Sequence, residues 1–142
     1  MHIDAIKNGI VIDHISAGRA MQIYDMLSLD KLDCPVAIMK TVPSKKMGRK
    51  DIIKIDCDLQ IDLNVLGYIS PSITVVYVRD GVVAEKKHIG LPERLTDIIR
   101  CKNPRCITST EQGIHHVFRL VDPAGGVYRC IYCDAKAEPQ NR

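Results

Sequence analysis

Apolar residues in the first part of the chain fall in short β-branched runs cut by turn residues. Ile3 to Ile6 and Ile10 to Ile15 are two such runs, separated by Lys7-Asn8-Gly9, and both predict strand. The period then changes. Ala17, Ala20, Ile23 and Leu27 recur at near-helical spacing behind Ser16, a residue suited to a helix N-cap, so an amphipathic helix is expected up to Ser28 and Asp30. Pro35 opens another extended run, Val36 to Val42, closed by Pro43-Ser44. Beyond a basic loop, Asp51 to Asp56 places Ile53 and Ile55 on one face and Lys54 on the other, which predicts an antiparallel partner strand.

Asp62 can cap a short helix through Leu63 and Leu66, stopped by Gly67 or by Ser70-Pro71. Ile73 to Val78, the Asp80-Gly81 turn and Val82 to Ala84 form the clearest hairpin signal. The order is strand, helix, strand, strand, helix, strand, with one further strand. It fits an α+β domain, a mostly antiparallel sheet with both helices on one face in the ferredoxin-like split βαβ arrangement. Leu91-Pro92-Glu93-Arg94 reads as a connection. Ile114 to Val121 and Val127 to Arg129 are then expected to pair as strands of a small all-β module, with domains at 1–92 and 93–142.

Cysteine spacing changes the picture of that second module. Cys101 and Cys106, then Cys130 and Cys133, form two close pairs that can each curl round one side of a tetrahedral ion. Four thiolates at about 2.3 Å from zinc close the shell and leave no position for water, so the site reads as one structural Zn2+ per chain. A module of about fifty residues is too short for a large apolar core and would depend on its ion. Two disulfides are the rival reading, and iron a lesser one. Met1-His2-Ile3-Asp4 shows no basic start leading into an apolar run, so a cytoplasmic location is expected, where thiols stay reduced and favour metal. Cys34 and Cys57 are isolated beside strand-like runs and read as buried packing residues.

At 142 residues and a formal net charge of +3, with acids and bases interspersed, the chain is a poor general binder of nucleic acid. One Phe and no Trp leave little to stack on bases. No stretch approaches the roughly 18–20 apolar residues of a membrane span, so no membrane partner is expected. Charge concentrates at Lys45, Lys46, Arg49, Lys50 and Lys54, enough for a small phosphate group or an acidic partner, although a solvated hairpin tip explains the first four equally well. Asp13-His14 is the one pair that suggests acid–base work. No activated nucleophile accompanies it, so polar residues at a strand end are the plainer reading. His115-His116 falls within the cysteine module, but four sulfurs already fill a shell, and these histidines read as surface or partner-contact residues.

Four segments in one order carry a resemblance. Gly9-Ile-Val-Ile-Asp-His-Ile15, Met47-Gly-Arg-Lys-Asp-Ile-Ile-Lys-Ile55, Leu91-Pro-Glu-Arg94 and the four-cysteine spacing closely resemble the regulatory chain of aspartate carbamoyltransferase, over nearly the whole chain. The resemblance implies a non-catalytic subunit of pyrimidine biosynthesis, with an N-terminal allosteric domain and a zinc domain that docks on the catalytic chain. It implies homodimers of regulatory chains bridging catalytic trimers, and one effector site for which ATP competes with CTP, with UTP in some members. Carried over by position, Ile3, Asp4, Ala5 and Ile6 would offer backbone groups to the base and Asp13 would contact ribose. Lys54 and Lys86 would hold phosphates, and Val83 would line the pocket. Lys7, His14 and Lys50 would lie near the phosphates or near a second, metal-bridged nucleotide. The alternative from another class is a zinc-ribbon RNA-binding protein.

Overall fold

Alternating isoleucines organise the first of two sheets. The computed structural model describes residues 6–138. Its elements are β1 (Gly9–Ser16), α1 (Ala20–Met26), β2 (Val36–Ser44), β3 (Gly48–Ile55), α2 (Leu63–Ile69), β4 (Thr74–Arg79) and β5 (Val82–His88), then β6 (Arg94–Thr96), α3 (Ile107–Thr110), β7 (Val117–Asp122) and β8 (Val127–Cys130). The first sheet runs β2-β3-β1-β4-β5, every neighbour antiparallel. Each helix thus connects two strands with a third lying between them, the split βαβ arrangement expected from the order of the hydrophobic runs.

Ile10, Ile12, Ile53, Ile55 and Val75 share one face of this sheet and are at most 1% exposed. Ile23 of α1 and Leu66 and Ile69 of α2 are buried to the same degree. Each such side chain contributes about 1.5–3 kcal/mol when removed from water. Asp62 caps α2 as expected, accepting the Asn64 N–H at 3.0 Å. Gly67 does not stop that helix but lies buried within it, and the chain leaves at Ser70. The Asp80-Gly81 turn joins β4 to β5 with both residues at positive φ, 51° and 77°, the twist that suits a two-residue hairpin.

Ser16 is not the cap of α1. It stays extended opposite Lys50 as the last residue of β1, with its hydroxyl on Ser70 Oγ at 2.9 Å. Three residues of turn, including Gly18 at φ 94°, separate it from the helix. The helix N-terminus is satisfied from a distance instead: the fully buried Asp51 carboxylate accepts N–H bonds from Gly18 (2.9 Å), Ala20 (3.1 Å) and Thr41 (2.9 Å). Thr41 and His14, both at positive φ, sit where the β2–β3 and β1–β3 registers shift. One carboxylate therefore fixes a helix start and a β-bulge together.

The first residue of β1, Gly9, has no room for a side chain. A Cβ there would lie 2.1 Å from the Ile55 carbonyl oxygen and 2.8 Å from Ile6 Cγ2. Gly9→Ala is expected to cost about 1–3 kcal/mol by overpacking, read as a lowered thermal midpoint.

The chain divides into two contact-defined units between Gly90 and Leu91. The second holds a three-stranded antiparallel sheet, β6-β7-β8, and one turn of helix, α3. Leu91 to Arg94 is not a free connection. Pro92 accepts the Tyr128 hydroxyl at 2.6 Å, Glu93 accepts the Leu120 N–H at 2.9 Å, and Arg94 opens β6. Leu95, Phe118 and Tyr128 are at most 2% exposed, and beyond the cysteines they form the apolar core here.

Candidate functional site

Local structure brings the four cysteines of the C-terminal unit together. Cys106 is the N-cap of α3, Cys130 ends β8, and Cys101 and Cys133 sit in the loops that flank these elements. Their sulfurs all lie within 4.8 Å of one another, Cys101 to Cys133 at 3.5 Å and Cys106 to Cys130 at 3.7 Å. A tetrahedral ion with sulfurs at about 2.3 Å requires edges of about 3.8 Å, so the donor set fits such an ion closely. All four are thiols rather than two disulfides. The Thr108 hydroxyl donates to Cys106 Sγ at 3.1 Å, the kind of outer contact that orients a metal ligand.

His116 supports this cluster without joining it. Its Nδ1 accepts the Cys101 N–H at 3.0 Å, which places the ring proton on Nε2, and its own N–H donates to Asp97 Oδ1 at 2.9 Å. His115 Nδ1 meets the other oxygen of the same carboxylate. Those two N–H and ring contacts hold the Asp97 carboxyl below its ordinary range, the His116 backbone bond first. His116, expected together with His115 to be a surface or partner-contact residue, is half-buried, with its ring held by the backbone of the cysteine loop.

Without a cation, four thiols this close do not ionise together. Burial pushes Cys101 up to about 12 and raises Cys130. Cys133 also meets a burial penalty, but hydrogen bonds led by the Asn103 side chain outweigh it and bring the thiol to about 7. A divalent ion reverses this balance by favouring the thiolates. Metal uptake at pH 7 is therefore expected to release protons, those held by the raised Cys101 and Cys130 thiols among them. Affinity should fall as pH drops, since protons compete for the same sulfurs. Calorimetry in two buffers of different ionisation enthalpy measures the proton count.

The second constellation lies on the face of the first sheet opposite its isoleucine core. Residues paired across strands share a face, and the registers set Ala37, Lys54, Val11, Val76 and Lys86 in one row from β2 to β5. Lys54 and Lys86 stand three strand spacings apart, about 14 Å, with two valines between them. Neither lysine has an ion pair among the described residues. Two residues further along β1, Asp13 Oδ1 meets Lys50 Nζ at 3.0 Å and accepts the His14 N–H at 2.6 Å.

Val83, 60% exposed, is opposite Val78 on that same face. Lys7 precedes β1 at the end of the sheet where β4 turns into β5, and its carbonyl accepts the Gly81 N–H at 2.9 Å, tying that turn to the start of β1. His14 occupies the bulge with φ 57°, and its Nδ1 is buried with no partner among the described residues. Ile6 is buried at the approach to β1. Ile3, Asp4 and Ala5 lie outside the described residues. Lys45, Lys46 and Arg49 are exposed around the β2–β3 turn, as a solvated hairpin tip would have them, while Lys50 turns back to Asp13. The apolar floor of Val11 and Val76, continued by Val78, follows from the strand register and from no local motif.

The two constellations fall in segments that match two family models. Residues 1–90 match the family model described as the aspartate carbamoyltransferase regulatory chain, allosteric domain. Residues 93–141 match that of its metal binding domain. Proteins named aspartate carbamoyltransferase regulatory chain are similar over most of their length. One from Clostridium botulinum is 48% identical over 132 residues, covering 93% of this chain and 90% of the relative. One from Clostridium tetani is 48% identical over 133 residues, covering 93% and 92%. One from Bifidobacterium longum is 44% identical over 138 residues, covering 97% and 99%. With a sheet domain matched to the allosteric model and a four-thiol module matched to the metal-binding one, the chain belongs to the aspartate carbamoyltransferase regulatory chain family.

Proposed function

We propose that this chain is the non-catalytic, nucleotide-sensing subunit of an aspartate carbamoyltransferase in the cytoplasm, where a zinc-held domain docks on catalytic chains. No helix among the described residues is long and apolar enough to cross a membrane. The reading rests first on the lysine row. Two cations without ion-pair partners among the described residues flank a valine floor on the helix-free face of the domain matched to the allosteric model. Such a surface suits a ligand with an apolar ring and a polyanionic tail, a nucleoside triphosphate such as CTP, ATP or UTP. Asp13 is held by Lys50 through Oδ1, its Oδ2 has no hydrogen bond or ion pair among the described residues and can accept ribose hydroxyls, and Val83 extends the apolar wall.

The domains would divide at 1–92 and 93–142, and two regulatory chains would associate through the first. Among the described residues β2 and β5 are the edges of the sheet, and their outer backbone groups suit such pairing. Opposite effects of CTP and ATP on catalysis require that each stabilise a different quaternary state, with coupling of about 1–3 kcal/mol.

Calorimetric titration of the full chain tests the sensor. CTP and ATP are expected to compete for one site, and Lys54→Ala to weaken both about 10- to 100-fold through loss of a charge-assisted hydrogen bond. Unchanged affinity in that variant, or steeply salt-dependent RNA binding together with indifference to CTP, would overturn the reading.

A further inference from the structure

Cys34 and Cys57 are joined to each other, not packed separately as buried thiols. The reason is register. Ala37 faces Lys54 and Val36 faces Ile55 in the β2–β3 ladder, and the Asp56 N–H continues it by donating to the Pro35 carbonyl at 2.9 Å. One further step sets Cys34 opposite Cys57, with Cα atoms 5.9 Å apart, inside the range a disulfide spans. Both residues are half-buried and therefore within reach of a small reagent. The same chain carries four thiols that its metal domain needs reduced.

We propose that Cys34 and Cys57 form a reversible thiol–disulfide site that sets the stiffness of the effector face. The oxidant is a small-molecule disulfide. One cysteine thiolate attacks it, forming a mixed disulfide and releasing one small thiol. The other cysteine then displaces the second small thiol and closes the Cys34–Cys57 bond. Two electrons pass to the external disulfide, and the two cysteine protons balance the two thiols released.

Position gives the bond its leverage. Cys57 is three residues from Lys54, and Cys34 is three from Ala37, which stands opposite that lysine. Cys57 also begins the stretch to the α2 cap Asp62, which has no regular secondary structure. Asp58, Leu59, Gln60 and Ile61 of that stretch line an open groove of about 610 Å³ with Tyr77 and Lys87, so one side of the stretch borders solvent. Oxidation pins this stretch to the start of β2, and reduction releases both. Exposed carboxylates at Asp33, Asp56 and Asp58 flank the two cysteines. An uncharged disulfide should therefore react faster than an anionic one of equal potential.

The effect on effectors rests on the proposed nucleotide site, and the test separates the two. Full-length, metal-loaded protein is equilibrated in graded mixtures of 2-mercaptoethanol and hydroxyethyl disulfide, quenched by alkylation and mapped by mass spectrometry. Cys34 and Cys57 are expected to interconvert together and reversibly between two alkylated thiols and one linked peptide pair. The oxidised form should melt about 10 °C higher and differ about fivefold or more in CTP affinity. A C34S/C57S double variant should hold the reduced values throughout. Cysteines that stay alkylatable in the most oxidising mixture, a bond that excess thiol does not reverse, or equal CTP affinity in both forms would each overturn the proposal. If neither form binds CTP, the effector reading fails, and the reversible bond with its thermal shift alone decides the redox site.

Discussion

Cys106→Ser is expected to abolish stoichiometric metal binding and unfold the C-terminal unit while the N-terminal sheet keeps its own melting transition. Cys106 is 1% exposed, caps α3 and supplies one of four convergent sulfurs. Structural zinc contributes about 10–16 kcal/mol to folding a module of this kind, against a typical net domain stability of about 5–15 kcal/mol. Leu95, Phe118 and Tyr128 cannot replace that contribution, since three large side chains bury only about 5–9 kcal/mol of apolar surface. Metal analysis together with near-ultraviolet circular dichroism reads the outcome. Chelation of the wild type should produce the same state, and Thr108→Val, which removes only the hydroxyl contact to Cys106, should cost about 1 kcal/mol.

Asp51→Ala should be the most damaging single change in the N-terminal unit. It leaves the N–H groups of Gly18, Ala20 and Thr41 without their acceptor in a site closed to water. Charge-assisted bonds contribute about 1.5–3 kcal/mol each. Relief from burying the charge offsets part of that sum, so a net loss of about 3–5 kcal/mol is expected, a fall in thermal midpoint on the order of 15–30 °C. Asp51→Asn, which keeps one acceptor oxygen, should lie between the two. Thermal unfolding of the three proteins checks the order.

The same residue shows where reading the chain stops short. Asp51 stands in alternation with Ile53 and Ile55, so it shares the core face, and a carboxylate there must find donors. Its presence was visible in the sequence, but its donors were not, because Gly18 and Thr41 reach it only through the fold. Ser16 drew the cap instead because local chemistry favours serine before a helix, and a strand that runs one residue further overrides that preference. The hairpin at Asp80-Gly81 and the cap at Asp62 were legible because turn and cap are decided by adjacent residues.

The cysteine cluster was legible from spacing alone, whereas the Cys34–Cys57 pairing needed the β2–β3 register counted outward from Ile53 opposite Ile38. Lys54 was conspicuous as a charge between two isoleucines, yet the row that unites it with Lys86 depends on three strand pairings. Ligand-facing surfaces of this kind are assembled from residues far apart in sequence, and each register step moves a side chain to the other face.

Reconstitution decides whether this polypeptide senses nucleotides on behalf of an enzyme. Metal-loaded chain is mixed with the aspartate carbamoyltransferase catalytic chain of the same source, and aspartate saturation is measured with and without CTP. The account predicts that CTP shifts half-saturation in the complex, that the shift is lost with Lys54→Ala, and that it vanishes when metal is removed before mixing. A saturation curve indifferent to CTP in the fully assembled, metal-loaded complex would contradict it.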